Sequence, residues 1–153
     1  MSDQEQQAAP VFSIEKLYVK DLSVEVPNAP QIFLEREAPQ IEVNLRNETE
    51  AIEAGIYQVV LTAVVTAKIG EKTAFLVEAQ QAGIFRIQNV PQEAIEPMLA
   101  VGCPNIIFPY ARETVSEAIS RAGFPPVLLQ PMNFEALYMQ QRAQLEAQQN
   151  AAN

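Results

Sequence analysis

The chain has no histidine and no tryptophan, a single cysteine and only five glycines. Without histidine it lacks the side chain most used for proton transfer near neutral pH, which is also the commonest metal ligand. Its one thiol, Cys103, rules out an intrachain disulfide and a cysteine-rich zinc site. The glycines are scattered at positions 55, 70, 83, 102 and 123, so no glycine-rich phosphate loop exists. Cations are scarce too: 10 Lys and Arg stand against 19 Asp and Glu, a formal net charge of −9. Such a chain repels phosphate backbones, which argues against nucleic acid as a partner. No run approaches the ~18 apolar residues of a membrane span, and residues 1–9 are polar with no secretory-signal pattern. The expectation is a cytoplasmic, non-enzymatic protein without metal or cofactor.

What remains is a chain of 153 residues that is 48% hydrophobic and only 19% charged. That is enough apolar material for one core, with some left for interfaces or grooves. Residues 1–10 read as a disordered head, 11–139 as a single domain, and 140–153 as a Gln/Ala-rich helical extension ending in a disordered tail from Gln149. Alternation of period two predicts a strand over about Val11–Val26, with a bulge near Leu17-Tyr18-Val19, where the alternation breaks. Pro27-Asn28-Ala29-Pro30 stops it, and a second strand is expected over Ile41–Leu45. Arg46–Ala54 is polar and acidic and reads as a loop. Its Asn47-Glu48-Thr49 sequon is attributed to chance.

The strongest local signal is a hairpin, Ile56–Lys68 and Thr73–Ile87, joined through Ile69-Gly70-Glu71-Lys72. On its first arm every odd position from Tyr57 to Ala67 is apolar, while Val60 and Val64 make the other face half apolar. That second face is expected to be covered by another chain or a ligand. Helices follow: a weak one over Gln92–Val101 disturbed by Pro97, an apolar connector over Cys103–Tyr110, and an amphipathic helix over Tyr110–Ala122. Gly123 and Pro125-Pro126 end that helix, and Asn133 caps the last one. Ala111, Ala118 and Ala122 form a small-residue stripe, read as a subunit contact. Strands first and helices afterwards make the class α+β, a four-stranded antiparallel sheet followed by helices.

Several segments, in order and at compatible spacing from 11 to 139, together resemble the SecB family of bacterial export chaperones. They include Tyr18-Val19-Lys20-Asp21-Leu22-Ser23-Val24-Glu25-Val26-Pro27-Asn28-Ala29-Pro30 and Thr73-Ala74-Phe75-Leu76-Val77-Glu78-Ala79-Gln80-Gln81-Ala82-Gly83. Cys103-Pro104-Asn105-Ile106-Ile107-Phe108-Pro109-Tyr110, Gly123-Phe124-Pro125-Pro126 and Met132-Asn133-Phe134-Glu135-Ala136-Leu137-Tyr138 complete the set. Val77 stands where other members carry cysteine, Glu37 where some carry tryptophan, and the tail from Gln140 does not match.

The resemblance implies a homotetramer, a dimer of dimers, that holds unfolded preproteins without ATP and passes them to SecA, the translocase motor. It implies SecA contacts at Asp21, Glu25, Leu76 and Glu78, and a client-binding or oligomer face at Phe75, Val77, Ala79 and Gln81. Phe12, Phe33, Phe108, Tyr110 and Phe134 are candidates for a client groove. Aromatic and aliphatic walls suit promiscuous binding, because apolar contact is non-directional. Two other readings stay open: a SecB-like chaperone dedicated to a toxin–antitoxin pair, and a small-ligand-binding α+β oligomer.

Overall fold

A computed structural model of the chain describes residues 8–152. The expected head falls outside the described residues up to position 7, as does Asn153; Ala8–Pro10 carry no regular structure. Four strands follow, β1 (Val11–Glu25), β2 (Gln40–Glu53), β3 (Ile56–Ile69) and β4 (Lys72–Gln88). They form one antiparallel sheet in the order β1-β4-β3-β2, as the α+β reading expects. The two most continuously apolar strands, β3 and β4, are therefore central, and the alternating ones are edges. Two-residue turns, Ala54-Gly55 and Gly70-Glu71, close the hairpins, each with its glycine at positive φ (76° and 62°). β1 shifts register twice against β4, at Ile14/Lys16 and Val19/Asp21, on either side of the expected bulge.

β2 does not end at Leu45. It pairs with β3 from Gln40↔Lys68 to Glu53↔Ile56, so the expected loop over Arg46–Ala54 is strand almost to its end. The ladder bonds come from β3's backbone and ask nothing of β2's side chains. Charged residues such as Glu48 and Glu50 also suit an edge strand, because they discourage further pairing.

Between β1 and β2 the chain makes a short 3₁₀ turn, Gln31–Leu34, that periodicity did not reveal. Asn28 Nδ2 donates to the Thr73 carbonyl at 2.9 Å, and Ile32 is buried, pinning the crossover to the start of β4.

The helices are α1 (Gln92–Pro97), a π turn (Met98–Gly102), α2 (Cys103–Arg121) and α3 (Phe134–Ala151). The expected apolar connector over Cys103–Tyr110 is the first half of α2. Pro104 sits in the first turn, where its missing N–H matters least, and the wider π turn lies just before it. Pro109 lies inside the helix and costs about 3 kcal/mol. Burial of Ile107 and Phe108 offsets it, at about 1.5–3 kcal/mol each. The helix stops as expected: Gly123 has φ 96°, its N–H donates to the Ser120 carbonyl, and Phe124 N–H donates to that of Ile119.

α2 lies across β4 and β3 and closes the core. Ile107, Ala111, Val115 and Ile119 join one cluster with Leu61, Val65, Phe75, Val77 and Phe85. The small-residue stripe read as a subunit contact is spent here: Ala111 is fully buried and Ala118 nearly so within the single chain. On the outer face of the sheet Val60 is 6% exposed within the single chain, whereas Val64 stays half-buried. At the far end, Asn133 Oδ1 accepts from the Ala136 N–H at 2.9 Å and caps α3 as expected. The helix then runs to Ala151, past the expected start of disorder at Gln149, through residues that are good helix formers.

Candidate functional site

The β1–β4 register brings one group of expected site residues together. Glu25 stands opposite Leu76, Ser23 opposite Glu78, and Asp21 opposite Gln80. Asp21, Glu25, Leu76 and Glu78 thus occupy three successive rows on the outer face of one strand pair. Neither strand alone could establish this, since each contributes only two of the four. Asp21 and Glu25 are exposed, while Leu76 and Glu78 are half-buried. Arg46 is the cation that reaches this corner: its guanidinium lies 3.7 Å from Glu78 and 3.6 Å from Glu48. Farther along the same face, Arg86 Nε donates to Glu15 at 2.8 Å. That bond and one from Ser13 hold the Glu15 carboxyl below its ordinary range.

The opposite face of β4 carries the residues expected at a client-binding or oligomer face, and it is buried within the single chain. Phe75, Val77, Ala79 and Gln81 are 0–4% exposed and lie in the core beneath α2. They are not accessible to a client in this chain. Gln81 Nε2 donates to the Tyr18 carbonyl at 3.3 Å, and Thr114 Oγ1 donates to Gln81 Oε1 at 2.8 Å. The side chain therefore ties β1, β4 and α2 together.

The five groove candidates are not gathered in one place. Phe12 packs on Phe85, with ring centroids 5.8 Å apart, and Phe33 packs on Phe124 at 5.1 Å, which meets Phe75 at 4.9 Å. Phe75 and Phe85 are ten residues apart on one strand, about 33 Å at ~3.3 Å per residue. No single compact groove spans that distance. Phe108 and Phe134 pack edge to face at 5.8 Å and are 6% and 3% exposed, so both belong to the core, with Phe134 at its margin. Arg112 stacks over Phe108 and donates to the Leu129 carbonyl, which holds the segment before α3 against α2. Tyr110, on the solvent side of α2, and Phe33 stay half exposed.

Two features escaped the sequence. One is a cleft of about 710 Å³ between β2, α1 and α3, lined by Leu45, Leu99, Phe134, Leu137 and Tyr138 with a polar rim at Glu93 and Gln141. Of the groove candidates named from the sequence, Phe134 lines it. Asn47 opens onto it with Nδ2 bonded to the Leu99 carbonyl and Oδ1 enclosed, so the sequon side chain is tied down. The second is a pair of apolar margins. α2 is too narrow to cover the whole inner face. Val19, Leu22 and Val24 on β1 are left 41–47% exposed, and Ile41 and Val43 on β2 40% exposed.

Cys103 is buried and unpaired, and burial pushes its thiol up to about 12. It is no nucleophile. Among the described residues no cluster of acidic or sulfur ligands fits a metal, and no helix is long and apolar enough to cross a membrane.

The model of the family described as preprotein translocase subunit SecB matches residues 5–145, beyond both ends of the segment that carried the resemblance. The chain belongs to the SecB family. The protein-export protein SecB of Dechloromonas aromatica is 69% identical over 136 residues, 89% of this chain and 90% of the relative. The SecB of Methylobacillus flagellatus is 64% identical over 149 residues, covering 97% and 93%. The SecB fold is also shared with a SecB-like chaperone of Mycobacterium tuberculosis, solved with a peptide from an antitoxin. That structure has a TM-score of 0.66 at 16% identity, covering 79% of this chain and 90% of that one. SecB proteins are chaperones rather than enzymes.

Proposed function

We propose that this SecB-family export chaperone works in the cytoplasm as a homotetramer, holds unfolded preproteins without ATP and docks on SecA. The observation that carries the reading is the pair of uncovered apolar margins beside α2. Such surface invites non-directional contact, either with a second copy or with any unfolded segment rich in apolar side chains. Both margins lie on edge strands, and the one on β1 suits a second copy. The margin on β2 continues toward the 710 Å³ cleft and suits an extended client. Residues 11–139 form the working unit, and 140–153 extend it.

Asp21, Glu25, Leu76 and Glu78 are proposed as the SecA-docking corner. They share a face, carry net negative charge, and lie on the side of the sheet away from α2. Phe75, Val77, Ala79 and Gln81 act on clients and assembly only indirectly, by seating α2.

Light scattering during refolding of a preprotein tests the holding activity. Aggregation should be suppressed without ATP, with no effect on the folded mature form. A Glu78→Lys protein should keep that activity and lose SecA docking at low salt. Normal docking by that variant would remove the corner from the proposal. A native mass of 67.6 kDa would establish four chains of 16.9 kDa.

A further inference from the structure

The acidic corner carries its own cation. Among the described residues, Asp21 and Glu25 have no ion pair, and Glu78 has one, to Arg46. Arg46 does not neighbour Glu78. It lies on β2 opposite Thr62, whereas Glu78 lies on β4 opposite Val64, so β3 stands between them. The arginine stem crosses that strand to place its guanidinium 3.7 Å from the carboxylate. Thr62 and Val64 are short enough to let it lie flat. The two charged groups remain 55% and 38% exposed, so water and partner cations can reach both.

Thr62, opposite Arg46 in the ladder, is 0% exposed, and its hydroxyl oxygen is buried without a hydrogen-bond partner. An unpartnered buried hydroxyl is unfavourable. The ion pair itself is exposed and weak to begin with. The strap is therefore held loosely.

We propose that Arg46 is a built-in counter-ion for Glu78, displaced when a cationic partner surface docks, and that it limits how tightly the outer face holds that partner. The inference rests on the docking corner proposed above. A partner cation must compete with Arg46 for the same carboxylate oxygens, so removing Arg46 tightens docking instead of weakening it. An exposed pair of this kind corresponds to about a two- to five-fold change in affinity.

Titrations of purified SecA against the intact protein and four variants test it, at low and at physiological salt. Glu78→Gln should weaken docking. Arg46→Gln should tighten it two- to five-fold at low salt, with the gain shrinking as salt rises. Arg46→Lys should stay at the parent affinity, because the charge is kept. The double variant should show no gain over Glu78→Gln alone. If Glu78→Gln docks normally, the docking corner itself falls and this inference with it. If Glu78→Gln weakens docking while Arg46→Gln leaves it unchanged or weaker, Arg46 is no competitor and only this inference is overturned. A gain that survives in the double variant places the effect on Glu48 or elsewhere, which also overturns it.

Discussion

The tie through Gln81 invites a double-mutant test. Gln81 is 4% exposed, donates to the Tyr18 carbonyl beside the second β1 bulge, and accepts from Thr114 on α2. Thr114→Val removes the hydroxyl and leaves the Gln81 carbonyl oxygen buried without its donor, at about 1–3 kcal/mol. Gln81→Leu keeps most of the volume but strands both the Tyr18 carbonyl and the Thr114 hydroxyl, at about 2–4 kcal/mol. In the double variant the Thr114 and Gln81 groups disappear together, and only the Tyr18 carbonyl stays unpaired. Its cost should fall short of the sum of the singles by about 1 kcal/mol. Urea titrations at one fixed protein concentration measure this, because assembly would otherwise shift the midpoints. In thermal scans each kcal/mol should appear as about 2–4 °C. If the singles add to within ~0.5 kcal/mol, the bond does not couple β4 to α2 and the reasoning fails.

Three further outcomes are expected. Asn133→Ala removes the acceptor for the Ala136 N–H and should destabilise the start of α3 by about 0.5–2 kcal/mol, read as faster amide exchange over the first turn of α3 than in the parent. Cys103, with its thiol pushed up to about 12, is ionised to roughly one part in 10⁵ at pH 7. It should resist alkylation in the native protein and react promptly in denaturant; rapid native labelling would contradict its burial. Glu15 titrates below its ordinary range because Arg86 and Ser13 bond the charged form. Its pairing favours the fold above the ordinary carboxylate range and is lost as pH falls through the lowered value. Arg86→Gln should move the Glu15 titration upward by NMR, and an unmoved titration would discount the pair.

Wherever one strand or helix could express it alone, the sequence by itself determined the structure. Side-chain alternation set which face of β3 enters the core, the Ile69–Lys72 segment placed the central hairpin, Gly123 ended α2 and Asn133 began α3. Strands before helices made the class α+β, and the ordered segments pointed to the SecB family. The tertiary structure alone decided what depends on a distant partner. The polar run after Leu45 became strand because β3 offers its backbone ladder regardless of side chains. The connector before Tyr110 became helix because tertiary packing buries Ile107 and Phe108 strongly enough to outweigh Pro109. Phe75, Val77, Ala79 and Gln81 could be assigned a common face from sequence, but only the placement of α2 shows that this face is sealed. The four docking candidates meet because β1 pairs with β4 in unbroken register from Asp21↔Gln80 to Glu25↔Leu76, and Arg46 reaches Glu78 across β3 because the sheet order places β2, β3 and β4 side by side. Burial and charge pairing are sums over residues remote in the chain, so local periodicity carries the faces of each element but not what covers them.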